Sequence, residues 1–103
     1  MNAIEARPWD QVPAQLAALA SGIEARQPNP TIMGLIEQAQ ASCQAAAETT
    51  RADVLKQILA QVERATQTWQ QVWPRLGKDR EFRLAVAREA RLWAKRLAEH
   101  AKP

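Results

Sequence analysis

The sequence predicts an all-α protein, a small bundle of about four helices that self-associates, and three observations carry that prediction. Apolar residues recur at spacings of three and four along most of the chain, the beat of a helix with one buried face. Strong helix breakers are sparse: Pro28 and Pro30 mark one turn, the next proline is Pro74, and after Gly34 there is no glycine until Gly77. Alanine supplies 21 residues against 27 larger apolar side chains, which suits close-set helical seams that bury little area apiece. At roughly 25 cal/mol per Å², such seams give a single domain spanning residues 1–103 a thin core, so a second copy or a partner is expected to complete it.

Residues 1–9 read as a flexible arm, with Trp9 placed to staple the helix that follows. Asp10 offers that helix an N-cap, and Pro13 is tolerated in its opening turn. Val12, Leu16, Leu19 and Ile23 then give it one apolar face, and it is expected to stop near Arg26 because Pro28 and Pro30 cannot continue it. Asn29 can cap a second helix with Pro30 at its first position, where a missing N–H costs nothing. Ile32, Ile36, Ala39, Cys43 and Ala46 make its buried stripe.

Two architectures compete beyond that point. In one, Thr49 and Thr50 end the second helix, a Thr50/Asp53 pair opens the third, and the chain reverses into a bundle. In the other, the stripe runs straight through, because Ile32, Cys43, Val54, Ala65 and Leu76 recur every eleven residues. That would be a rod of over about 40 residues, roughly 65 Å at 1.5 Å per residue, which needs a partner. The hairpin is preferred, since long uncapped helices are uncommon and paired threonines weaken helix. The third helix is expected to bury Val54, Ile58, Val62, Ala65, Trp69, Val72 and Leu76, and Pro74 to kink or end it. Gly77 suits a C-cap, and Asp79 an N-cap for a last helix from about Arg80 to His100.

Charge is polarised along the chain. Residues 1–73 hold five basic and seven acidic side chains, whereas residues 74–103 hold nine and four. On the last helix Phe82, Val86, Ala90, Trp93 and Leu97 share one face, while Arg80, Arg83, Arg88, Arg91, Lys95 and Lys102 gather within an arc of roughly 140° on another. This cationic ridge suits an acidic protein or a phosphate backbone. The plainer alternative is a solvated face whose arginines pair with acids of the same bundle. Leu84 and Leu92 near the ridge hint at an interface. Trp73, beside Arg75 and Lys78 at the Pro74 break, is either core or an exposed anchor for a partner.

Catalytic chemistry is not expected. One cysteine and one histidine, with no Glu-x-x-His, make a metal site and a resident cofactor improbable. Cys43 falls on the buried stripe and reads as a core thiol, and His100 as an exposed residue favourable to the helix dipole. The Gly77-Lys78 pair lacks the rest of a phosphate loop. The lone cysteine suits the cytoplasm, and no apolar run approaches the length of a bilayer crossing.

The expected function is therefore non-enzymatic: an adaptor, chaperone-like, inhibitory or assembly factor that offers a helical face to a protein partner, acidic in character, with a homodimer as a further expectation. The residues expected to bind are Arg80, Arg83, Arg88, Arg91, Lys95, Trp73, Arg75 and Lys78. The alternative is nucleic-acid binding by the same basic helix, although no helix-turn-helix or RNA-recognition signature supports it. A membrane-surface role, with Phe82, Trp93 and Leu97 dipping into lipid, is the weakest reading.

Overall fold

A computed structural model describes residues 8–101 of the chain. Four helices follow one another: α1 (Pro8–Glu24), α2 (Asn29–Thr49), α3 (Asp53–Leu76) and α4 (Arg80–Ala101). The predicted all-α bundle is what the chain forms, and the hairpin prevails over the continuous rod. Three short connections, residues 25–28, 50–52 and 77–79, join the helices. Connections this short make successive helices neighbours. Accordingly α1 packs against α2 and α4, and α2 against α3, while α3 and α4 share the least contact of the neighbouring pairs.

Residues 1–7 of the expected arm lie outside the described residues, as does any stapling by the Trp9 side chain. Helix α1 already begins at Pro8, a residue whose fixed φ and missing N–H suit a first helical position. Asp10 therefore sits inside α1 and is not its N-cap, and Pro13 lies past the opening turn. Val12, Leu16, Leu19 and Ile23 are buried as the spacing predicts, with Ala20 beside them. Gly22 lets α2 come close: a Cβ there would stand 2.9 Å from Leu35 and 3.3 Å from Ile32.

The first connection is a Schellman turn. Arg26 N–H donates to the Ile23 carbonyl (3.0 Å) and Gln27 N–H to the Gly22 carbonyl (3.1 Å), around a left-handed Arg26 with φ of 60°. Helix α2 then starts one residue earlier than expected, with Pro28 as its N-cap, so Asn29 is helical and its amide is free for another use. The α2 stripe of Ile32, Ile36, Ala39, Cys43 and Ala46 is buried throughout.

Why the chain breaks after Thr49 is local chemistry. The Thr49 hydroxyl donates back to the Ala45 and Ala46 carbonyls, and Thr50 adopts an extended backbone. Thr50 ends α2 and Ala52 is the N-cap of α3, so the expected Thr50/Asp53 capping pair does not form. Helix α3 is also turned from its expected phase. It buries Leu55, Leu59, Val62, Thr66, Trp69 and Trp73, while Ile58, Ala65 and Val72 are half-buried and Val54 and Leu76 exposed.

Pro74 neither stops nor shortens α3 before Leu76. Gly77 ends it in a right-handed conformation, so its value is space and not a positive φ. A Cβ at Gly77 would lie 2.6 Å from the Trp73 indole nitrogen and 2.7 Å from the Trp73 carbonyl. Asp79 caps α4 as predicted, accepting from the Phe82 N–H at 3.1 Å. Across the core, Ala20, Ala39, Ala46, Ala87 and Ala90 are buried, which are the alanine seams that the composition implies.

Candidate functional site

The cationic arc expected on α4 is divided by the fold. Val86, Ala87, Ala90 and Leu97 are buried and Phe82 and Trp93 half-buried, so one side of α4 is anchored in the core. Arg83 and Arg91 stand at the edge of that side and turn back onto the bundle. Arg83 donates to Asn29 Oδ1 (3.0 Å), to the Gly77 carbonyl (2.7 Å) and to the Gln27 carbonyl (3.5 Å). Its guanidinium also lies over the Trp73 ring, 5.5 Å from the centroid. One side chain thus joins the α1–α2 connection to the α3–α4 connection. Arg91 forms an ion pair with Glu24 and donates to Ser21 Oγ at 3.3 Å, tying α4 to α1. The hydrogen bond from Arg91 holds the Glu24 carboxyl below its usual range against a smaller opposing effect of desolvation, and Arg91 is raised in turn.

Two of the expected binding arginines, Arg83 and Arg91, thus make bonds within the bundle, and Trp73 lies in the core. Its side chain is fully buried, 5.5 Å from Phe82 by ring centroids, and cannot anchor a partner. Of the two readings of Trp73, core is the one the structure bears out, with Gly77 and, from α4, Arg83 lying against the indole. The membrane-surface reading fails similarly, since Leu97 is fully buried and Phe82 and Trp93 pack against the core.

What remains outward is a compact set. Arg80, Arg88 and Lys95 are exposed on α4, with Arg75 and Lys78 exposed around the connection before it. Among the described residues none of these five makes an ion pair or a side-chain hydrogen bond. Leu84 is 42% exposed and Leu92 47% exposed. In helical order Leu84, Arg88, Leu92 and Lys95 follow at steps of four, four and three, so they line one outward strip on which leucine and cation alternate.

A second feature lies at the start of that strip and was not foreseen. The connections at 25–28 and 77–79 meet at the same end of the bundle and border a solvent-open cavity of about 660 Å³. Ile23, Pro28 and Leu84 give it apolar walls, and Arg26, Lys78, Arg80 and Arg83 bring four cations to it. No sequence window could reveal it, because Arg26 is brought to Lys78, Arg80 and Arg83 only by the tertiary fold.

Cys43 is a core thiol, as its place in the stripe predicts. Its Sγ–H donates to the Leu59 carbonyl at 2.9 Å. Burial, with the negative charge of Glu63 adding to it, pushes the thiol up to about 12, so it is a neutral packing group at ordinary pH. His100 is exposed in the last turn of α4. No described helix is long and apolar enough to cross a membrane. No family model, curated protein or solved structure matches this chain.

Proposed function

We propose that the chain is a non-enzymatic interaction protein of the cytoplasm that docks an acidic protein partner on the outward strip of α4. The observation behind this reading is the alternation of half-exposed Leu84 and Leu92 with the unpaired cations Arg88 and Lys95. Leucines that find no place in the monomer's core gain from being covered, at roughly 25 cal/mol per Å². Cations without partners favour a surface that brings carboxylates to them. A second copy fits this strip poorly, because a two-fold contact of α4 on α4 would bring the same arginines and lysines face to face. Bare phosphate backbone fits poorly too, since it offers the leucines nothing apolar.

Two paired variants test the proposal. Leu84→Asp with Leu92→Asp removes the apolar contacts, and Arg88→Glu with Lys95→Glu reverses the charge. On a column carrying the purified protein, the expected result is retention from source lysate of an acidic protein that is lost with both variants. Anisotropy with labelled duplex DNA and RNA forms the second arm. Binding there that falls with the charge-reversed variant, survives the Leu→Asp changes and weakens steeply with salt would establish nucleic acid as the partner instead.

A further inference from the structure

We propose that the cavity between the connections at 25–28 and 77–79 is a binding site for a small amphipathic anion, a carboxylate or phosphate group carried on an apolar body. Its volume of about 660 Å³ falls within the range of small-molecule sites, and its walls have the usual division of labour. Ile23, Pro28 and Leu84 supply apolar contact, and the charged groups converge from three elements: Arg26 from the first connection, Lys78 from the last, and Arg80 and Arg83 from the first turn of α4.

The local charge is uncompensated from within. Glu24 is the one acid on the lining, and it is engaged by Arg91 on the α1 side. Asp79, next in sequence to Lys78 and Arg80, does not line the cavity and spends an oxygen on the Phe82 N–H. Arg83 is fixed by Asn29 and by the Gly77 carbonyl, so it forms a rigid wall, whereas Arg26, Lys78 and Arg80 have no such bonds among the described residues and are free to close on a ligand. The start of α4 adds the positive end of a helix dipole. Arg26 carries a further sign. It occupies a left-handed position that glycine fills at lower cost, and what arginine brings to the lining there is a positive charge. The site shares Leu84 with the α4 docking strip, but none of its four cations lies on that strip, so the Arg26, Lys78 and Arg80 substitutions test the cavity alone.

The probe is 8-anilinonaphthalene-1-sulfonate, an anion on an aromatic body, followed by fluorescence with the full-length folded protein and with ¹⁵N resonances read in parallel. The expected result is one molecule bound per chain, with shifts confined to residues 22–30 and 76–84. Its neutral counterpart N-phenyl-1-naphthylamine should bind at least about tenfold more weakly. The triple substitution Arg26→Gln, Lys78→Gln and Arg80→Gln, all at exposed positions, should weaken the anion by about tenfold or more. Leu84→Glu should do the same by placing a carboxylate on the apolar wall. Removing as much charge elsewhere, by Arg51→Gln, Lys56→Gln and Arg64→Gln, should change affinity by less than about twofold.

Decanoate and decyl phosphate should displace the probe, the stronger of them naming the head group, and inorganic phosphate should not. Affinity retained by the triple variant, equal loss with the control triple, equal binding of the neutral dye, or displacement by neither alkyl anion would each overturn the proposal.

Discussion

The two ends of the bundle are built on different principles. At one end the connections 25–28 and 77–79 are bound to each other through Arg83, which reaches Asn29, Gln27 and Gly77 while lying over Trp73. A Schellman turn closes α1 and the Asp79 cap opens α4 there, although Pro28 brings α2 no side-chain cap. At the other end the single connection 50–52 is closed by short-range bonds, Thr50 N–H to the Ala46 carbonyl and the Thr49 hydroxyl to the Ala45 and Ala46 carbonyls, while Ala52 brings α3 no side-chain cap and the buried Thr50 hydroxyl has no partner among the described residues. The first end is held by directed polar bonds between residues distant in sequence, and the second by packing and by bonds local to its own turn. Directed bonds fix positions, so the wall of the cavity that Arg83 forms has a defined geometry there.

The comparison breaks most readily at Arg83. Replacing it by alanine leaves the Asn29 amide oxygen and the Gly77 carbonyl without their donor and uncovers the Trp73 ring. A loss of about 2 kcal/mol is expected, read as a lower urea midpoint with unchanged slope. Amide exchange should quicken at residues 25–28 and 77–79 and stay unchanged at 50–52. Uniform quickening across both ends would show that the polar tie does not hold one end in particular.

The opposite sign is expected at the other end. Thr50→Val keeps the β-branched shape that suits an extended backbone and deletes a buried hydroxyl with no partner. Relief of that desolvation should raise stability by about 1 kcal/mol, measured by the same urea titration. A loss in place of a gain would mean that the hydroxyl is satisfied in solution and that the two ends differ less than their bonding suggests.

How much of this was legible in the sequence follows the same division. The α1 and α2 stripes, the Asp79 cap and the buried face of α4 are local patterns, and spacing alone placed them. Helix α3 was misphased because Ile58, Ala65 and Val72 trace one apolar line while Leu55, Leu59 and Trp73 trace another about a residue away, and only packing against α2 decides between them. The polar Thr66 hid the second line, since its hydroxyl is satisfied by the Glu63 carbonyl within its own helix. Arg80, Arg83, Arg88, Arg91 and Lys95 of the expected arc do lie on α4, with Lys102 outside the described residues, but the division of the arc was invisible. The acid that takes Arg91 stands 67 positions away at Glu24, and the amide that takes Arg83 stands 54 away at Asn29. Helical periodicity shows which way a charge points and says nothing about what another helix brings to it.

The smallest expected effect is also the one that separates stability from binding. Arg26 at φ of 60° bears a steric cost on the order of 1 kcal/mol that glycine avoids. Glycine gives part of this back, because its freer unfolded chain loses about 0.4 to 1 kcal/mol more entropy on folding. Arg26→Gly should therefore raise the urea midpoint by an amount worth about 0.5 kcal/mol, with the Schellman hydrogen bonds intact by amide exchange. The same substitution removes one cation from the cavity, so the anionic dye should bind more weakly to the more stable protein. A gain in stability with no loss of dye would leave Arg26 without a role in the cavity. A loss of both would mean that the arginine side chain supports the turn by contacts of its own.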